Sequence, residues 1–375
     1  MILPGHTLGM LGGGQLGRMF TVAARTLGYH VVVLDPDSGS PAGRMADDHL
    51  HAAYGDAWAL DEMIARCDAV STEFENIPAD TLRALARHLP VRPGAAALEQ
   101  AQNRIREKGM IRRAGLETAP FQVVERPEQA HTAFAAVGAP AILKRAAMGY
   151  DGKGQVPVDS PQACAEAFEA LGRVPCVLER RVDLEREISV VLARGSDGRC
   201  LCYPVAENIH RGGILHMSIV PARVPQATAQ AACEAATTLA GALDYCGVMA
   251  VEFFITASGA LLVNEMAPRP HNSGHYTLDA CVTSQFEQQV RALCGLPFGD
   301  VRLLTPVVMV NLLGDLWAHG DPDWGRLLSH PAAKLHLYGK EQARPGRKMG
   351  HFCVLDPDLA AAVEAAEELF NRLAA

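Results

Sequence analysis

Two apolar runs, Val248 to Ile255 and Ala260 to Met266, stand either side of the turn Thr256-Ala257-Ser258-Gly259, and they constrain the fold more than any other stretch. Read as strands, they make a hairpin that is apolar on both parities, so the sheet holding it has no wet face there. Each run nevertheless carries a carboxylate, Glu252 and Glu265, and Asn264 stands beside the second. Burying one lone carboxylate costs several kcal/mol, so two on neighbouring strands imply a shared cation. Hard oxygen ligands suit Mg²⁺, which takes one or two carboxylates and fills its shell with phosphate oxygens. The alternative, a solvent face for both carboxylates, leaves the flanking apolar residues unexplained.

A second stretch supplies a place for those phosphates. The strand-like run Ala141 to Leu143 ends in Lys144 and leads to Met148-Gly149-Tyr150-Asp151-Gly152-Lys153-Gly154-Gln155. Three glycines let a backbone approach anionic oxygens, while the amides, Lys144 and Lys153 supply charge-assisted donors. The loop lacks the Gly-Lys-Ser/Thr ending of a P-loop.

The first third of the chain alternates strand and helix. Thr7 to Leu11 is a strand, Gly12 to Gly14 open a helix near Gln15, and Tyr29 to Asp35 is the next strand, a βαβ unit of parallel type. Helix-like Trp58 to Arg66 leads to Ala69-Val70 and then Glu73-Phe74-Glu75-Asn76. Glu99 to Ala114 reads as one charge-rich helix, and Ala163 to Ala170 and Ala227 to Ala242 as Ala-rich helices. Gly12-x-Gly14-x-x-Gly17 with Asp35 satisfies the dinucleotide fingerprint, so an NAD-dependent dehydrogenase is the alternative from another class. That reading leaves the Gly149 loop and the Glu252/Glu265 pair without a role. A nucleotide-binding protein without catalysis is a third reading.

Size and charge exclude other classes. At 375 residues the chain divides into two or three domains, and a net charge of −8 with few aromatics offers no basic face for nucleic acid. The start, Met1 to His6, lacks a basic leader, and no apolar run approaches a membrane span, so a soluble, cytoplasmic protein is expected. The ten cysteines have no Cys-x-x-Cys pair and read as reduced core residues.

The strings Gly12 to Met19, Glu73 to Pro78, Gly149 to Gln155, Asn264 to His275 and Arg344 to His351 together resemble the N5-carboxyaminoimidazole ribonucleotide synthetase family of ATP-grasp enzymes. The likeness runs from about residue 8 to about residue 352, and Arg269-Pro270-His271-Asn272-Ser273-Gly274-His275 and Arg344-Pro345-Gly346-Arg347-Lys348 are its most specific parts. It implies an α/β chain: a Rossmann-like parallel-sheet (pre-ATP-grasp) domain over 1–97, an ATP-grasp domain over 98–297 with a mobile lid at about 119–184, and a small mostly β C-terminal domain over 298–375.

The activity implied is ATP- and bicarbonate-dependent carboxylation of 5-aminoimidazole ribonucleotide through carboxyphosphate, in purine biosynthesis, by a homodimer using Mg²⁺ and no biotin. Another ATP-grasp ribonucleotide ligase or transformylase is the near alternative. By the resemblance, Arg104, Lys144 and Gly149, Tyr150, Asp151, Gly152, Lys153, Gly154 and Gln155 hold ATP phosphates. Glu179, Arg180, Arg181 and Val182 form the hinge that reads adenine through its backbone, Glu187 takes the ribose, and His210 and Asn264 contact the nucleotide. The Arg180-Arg181 pair departs from the smaller or neutral pair expected of the family, which backbone readout tolerates. Glu252 and Glu265 hold two Mg²⁺ ions. Arg269 and His271 meet bicarbonate and then carboxyphosphate, and Asn272 stands with them as a catalytic residue. Gly14, Gln15, Leu16, Lys153, Lys340, Arg347 and Lys348 bind the ribonucleotide, with Lys340 also catalytic, and Asp151, with Glu75 as second candidate, faces the reacting amine. Glu73 and Glu75 lie two apart, on one face if extended, and the sequence does not decide which reaches the substrate. His271-x-x-x-His275 has zinc spacing only in a helix, against which Pro268, Pro270 and Gly274 argue.

Overall fold

Val31-Val32-Val33-Leu34 carries no polar parity because both of its faces are covered. It lies inside a parallel sheet ordered β3-β2-β1-β4, from β1 (Thr7–Leu11), β2 (His30–Leu34), β3 (Asp48–Leu50) and β4 (Ala69–Thr72). The computed structural model describes residues 1–147 and 154–374. The helix Gln15–Thr26 returns the chain from β1 to β2 and buries Leu16, Met19, Phe20 and Ala24, a stripe at three- and four-residue spacing.

A small antiparallel sheet follows, ordered β5-β8-β6-β7: β5 (Phe121–Val124), β6 (Ala141–Arg145), β7 (Gln155–Val158) and β8 (Cys176–Arg180). The helices Gln129–Val137 and Pro161–Ala170 pack on it through Phe134 and Phe168. The second begins cleanly because Pro161 sits in its first turn and Ser160 caps it.

The third sheet has nine strands: β9 (Leu184–Arg194), β10 (Cys200–Cys202), β11 (Ala206–Arg211), β12 (Ile214–Val220), β13 (Gly247–Thr256), β14 (Leu261–Ala267), β15 (Val307–Leu313), β16 (Ala333–Leu337) and β17 (Lys348–Leu355). Their order is β14-β13-β9-β11-β12-β15-β17-β16, with β10 beside β9. The Ala-rich helix Gln226–Ala242 covers β9 and β13, and Leu359–Ala374 covers β15 and β17. The C-terminal segment therefore extends the central sheet and is mixed, carrying a 16-residue helix besides its strands, rather than mostly β.

The charge-rich run 99–114 is two helices, Ala95–Ala101 and Arg104–Arg113, broken where Asn103 turns extended and caps the second through Oδ1 to the amides of Ile105 and Arg106. That break turns Arg104 towards the large sheet. The helix Gln285–Cys294 ties the first sheet to the third, and Gln289 is its bracket. Its amide nitrogen donates to Ser71 Oγ (2.9 Å) and its oxygen accepts the Val248 amide (2.6 Å). Among the described residues no helix is long and apolar enough to cross a membrane.

Candidate active site between the three sheets

A cleft of about 1590 Å³ opens where the sheets meet, and residues of all three line it. Its floor at the first sheet is the turn after β1. Glu73, one residue beyond β4, sends its carboxylate into that turn: Oε1 accepts the Gly14 amide (2.6 Å) and Oε2 the Gly17 amide (2.7 Å). A Cβ on Gly12 would stand 2.3 Å from Glu73 Cγ, and one on Gly14 2.4 Å from Glu73 Oε1. These glycines make room for a protein carboxylate. Burial holds that carboxyl above the usual range, with the two amides pulling the other way.

Asp35 is likewise satisfied within the protein, accepting from the Gly13 amide, Tyr54 Oη and the Asp37 amide, each at 2.7 Å. The dinucleotide fingerprint is thus accounted for by internal partners, and the dehydrogenase reading loses its support. Gly14 is corrected as a substrate donor for the same reason, since its amide is engaged by Glu73. Gln15 and Leu16 line the cleft, and among the described residues neither gives its amide to another protein group.

Between Glu73 and Glu75 the segment bends rather than extending, and both residues line the cleft. Glu75 meets Arg269: Oε2 lies 2.6 Å from Nε and Oε1 3.3 Å from Nη2. Burial resists ionisation of Glu75, yet the Arg269 guanidinium outweighs it and brings the carboxyl down to about 2.

The two hairpin carboxylates are cross-strand partners, Glu252 opposite Glu265. A register slip falls just there, Phe253 pairing Val263, so Asn264 is the extra residue of a bulge and lines the cleft together with Glu265. Glu252 Oε1 lies 3.1 Å from His271 Nε2, and Glu265 Oε2 lies 3.1 Å from Arg104 Nη1. Burial opposes the Glu252 charge, but the bond from His271 prevails and holds the carboxyl at about 2. The pair suits a hard cation: two oxygen donors side by side at the cleft wall. Among the described residues no three His, Cys, Asp or Glu side chains gather into a cage, and a site completed by phosphate oxygens needs none.

Opposite this wall, Lys144 on β6 points at Glu179 on β8 (2.7 Å), and Glu179 also meets Lys108 (2.8 Å). The amides of Arg180 and Arg181 are engaged by Pro120 O (2.9 Å) and Pro140 O (2.8 Å), and Val182 follows them along the cleft. His210 Nδ1 sits 2.9 Å from Glu187 Oε2 across β11 and β9. Burial pulls the His210 imidazole towards neutrality, while Glu187 wins and raises its pKa. Gly154 has φ +73°, and Gln155 lines the cleft. The expectations for Gly149, Tyr150, Asp151, Gly152 and Lys153 lie outside the described residues.

At the third corner Gln285 clamps the backbone of His271, accepting from its amide (2.9 Å) and donating to its carbonyl (2.7 Å). Extended backbone at His271 gives way to a 3₁₀ turn, Asn272–Gly274, which separates His271 from the fully buried His275 and removes any zinc pair. Asn272 lines the cleft beside His271. Its side-chain amide is joined reciprocally to that of Asn311 on β15 (2.9 and 2.6 Å), so it holds the turn to the sheet. Lys340 Nζ donates to Lys348 O (2.7 Å), Arg347 Nη1 to Gln342 O (2.9 Å), and all three cations line the cleft near Gln15 and Leu16.

Glu73 as a structural anion, and Glu107, Lys108, Gln285 and Asn311 as neighbours of the site, are not apparent in the sequence. Glu107 lines the cleft and accepts the Met266 amide (2.7 Å); burial and the nearby Glu265 push its carboxyl up to about 8. The available signal was Asn103 as a cap. It starts a helix on which Arg104, Glu107 and Lys108 share one face.

Known proteins with this arrangement are close at hand. Residues 5–102 match the ribonucleotide synthetase preATP-grasp domain, 109–286 the ATP-grasp domain, and 307–365 the phosphoribosylaminoimidazole carboxylase C-terminal domain. The chain is 46% identical over 357 residues to N5-carboxyaminoimidazole ribonucleotide synthase of Brucella melitensis, covering 94% of this chain and 97% of that protein. A crystal structure of an N5-carboxyaminoimidazole ribonucleotide synthetase with ADP superposes with a TM-score of 0.93 at 45% identity, covering 99% and 97% of the two chains. The enzyme from Aspergillus clavatus in complex with ADP and 5-aminoimidazole ribonucleotide gives 0.90 at 32% identity, covering 98% of each.

Proposed function

The chain belongs to the N5-carboxyaminoimidazole ribonucleotide synthase family of ATP-grasp enzymes, and from that membership we propose how its own residues divide the work. The reaction is the ATP-dependent carboxylation of 5-aminoimidazole ribonucleotide to N5-carboxyaminoimidazole ribonucleotide, a ligase step of purine biosynthesis. The observation that carries the assignment of residues is one cleft lined by two sets of cations from different parts of the chain, Lys144 and Arg104 from the small sheet and the helix beneath it and Lys340, Arg347 and Lys348 from the C-terminal segment, with Arg269 and His271 also on its wall. Two such sets in one cleft suit two phosphate-bearing substrates meeting over a small anion.

Bicarbonate is that anion. Its oxygen attacks the γ-phosphorus of ATP, ADP leaves, and the resulting carboxyphosphate yields its carboxyl group to the exocyclic amine as phosphate departs. Little covalent work falls to the protein, so catalysis consists of positioning, charge neutralisation and exclusion of water from a labile intermediate. Lys144 and Arg104 hold the ATP phosphates, with Gly154 and Gln155 at the end of the glycine loop; Glu179 to Val182 border the base, and Glu187 and His210 the ribose. Glu252 and Glu265, with Asn264 beside them, would hold Mg²⁺, which when bound neutralises and orients the β- and γ-phosphates. Arg269 and His271 receive bicarbonate, each aimed by a partly buried carboxylate: Glu75 for the guanidinium, Glu252 for the imidazole. The ribonucleotide 5′-phosphate lies against Lys340, Arg347, Lys348 and the Gln15 and Leu16 amides at a helix start. Asp151 and Lys153 keep the roles that the sequence likeness implies, Asp151 at the amine. A homodimer in the cytoplasm, without biotin, completes this reading.

The test is ADP release with ATP, Mg²⁺ and bicarbonate. It should rise sharply only when 5-aminoimidazole ribonucleotide is added. Equal turnover with formate and glycinamide ribonucleotide would replace this reading with a transformylase.

A further inference from the structure

Lys108 is 1% exposed, and lysine is almost never so buried unless its charge is met. The only carboxylate its Nζ contacts among the described residues is Glu179 (Oε1, 2.8 Å); Asn264 O lies at 3.4 Å and the Phe121 ring centroid at 5.9 Å. Glu179 is itself buried, and its other oxygen takes Lys144 at 2.7 Å. One buried carboxylate thus faces two ammonium groups from different elements. Lys108 comes from the helix beneath the cleft, and Lys144 from the small sheet at the cleft wall. The two cations differ in access: Lys144 lines the cleft, whereas Lys108 does not. Burial works against the Glu179 charge, but Lys144 and then Lys108 hold the carboxyl down at about 2.

This arrangement answers a charge problem in nucleotide binding. When Lys144 turns to a phosphate it gives up its hold on Glu179, and a buried carboxylate left with no cation at all would be strongly unfavourable. We propose that Lys108 is a positioning residue, the standing counter-ion of Glu179 that frees Lys144 to move to the ATP phosphates. The idea rests on the reading of Lys144 as a phosphate ligand. Without Lys108, Lys144 is the one cation left to Glu179 and stays with it.

The test titrates ATP and 5-aminoimidazole ribonucleotide separately against Lys108→Met, Glu179→Gln, their double variant and Lys144→Ala. Lys108→Met should raise KM for ATP by about tenfold or more and leave KM for the ribonucleotide within about twofold. Glu179→Gln removes the charge that detains Lys144, so in that background Lys108→Met should change KM for ATP by less than about threefold. A general packing role for Lys108 would give the same loss in both backgrounds and would overturn the proposal, as would an unchanged KM for ATP in Lys108→Met. If Lys108→Met alone does not fold, the comparison of Glu179→Gln with the double variant, which buries no lone charge, decides by the same threefold criterion. Lys144→Ala separates the premises: an unaltered KM for ATP there refutes the phosphate role of Lys144 itself.

Discussion

Gly14→Ala should unlatch the first-sheet corner of the cleft, and its cost can be worked out from the contact it destroys. Gly14 has φ −74° and ψ −159°, a conformation open to alanine, so the backbone itself is not strained. The new methyl would stand 2.4 Å from Glu73 Oε1 and 3.0 Å from Oε2, and the carboxylate must leave. Two charge-assisted hydrogen bonds, at 2.6 and 2.7 Å, go with it. At ~1.5–3 kcal/mol each, net of the hydration the carboxylate regains, their loss totals ~3–6 kcal/mol. Because the clash is with a side chain, Gly14→Ala should cost less than ~1 kcal/mol in a Glu73→Ala background, a coupling of at least ~2 kcal/mol. Urea unfolding midpoints of the wild type, both single variants and the double variant measure it. Gly17→Ala is the counterexample: its methyl would meet Gly12 O at 2.5 Å, a backbone atom that Glu73→Ala does not remove, so no such rescue should occur. Additivity of Gly14→Ala and Glu73→Ala within ~0.5 kcal/mol would refute the view that these glycines exist to seat Glu73.

Arg347→Ala should raise KM for the ribonucleotide by ~1.5–3 kcal/mol of lost charged hydrogen bonding and leave KM for ATP alone; a defect chiefly towards ATP would reassign the C-terminal cations. Acid should destabilise the protein through His216, whose pKa burial first, and Arg211 second, bring from 6.5 to about 4. With the folded value depressed, its stabilising contribution is complete above pH 6.5 and is lost as pH falls towards 4, ~3 kcal/mol in all. Burial lowers His275 and His351 in the same direction. His216→Leu should flatten stability against pH over that window, and an unchanged slope would refute the assignment.

Much of the site was legible because its chemistry violates local rules. Glu252 and Glu265 interrupt apolar strands, and the structure sets them opposite one another; the prolines around Arg269 forbid the helix that zinc would have needed. What stayed hidden was partner choice over long separations. Glu73 reaches back 59 residues to Gly14, and Asn272 is claimed by Asn311 39 residues on. Nothing in either residue type announces these bonds, since a carboxylate or amide serves a ligand and a neighbouring strand equally well. Lys108 stays hidden because a charge-rich helix reads as solvated, and only tertiary packing reveals that its one lysine faces inward.

The pairing of β12 with β15 has a consequence for how the protein comes off the ribosome. Met217 to Val220 match Val310 back to Val307, and Met217 and Ile219 share a core with Phe352 and the helix Leu359–Ala374. Until residues past 300 emerge, β12 is a bare apolar edge, open to pairing with another nascent chain. The same late segment brings Lys340, Arg347 and Lys348 to the cleft and Asn311 to Asn272. Closing the sheet and completing the cleft are therefore one event at the end of synthesis, and a chain cut short of β15 has neither.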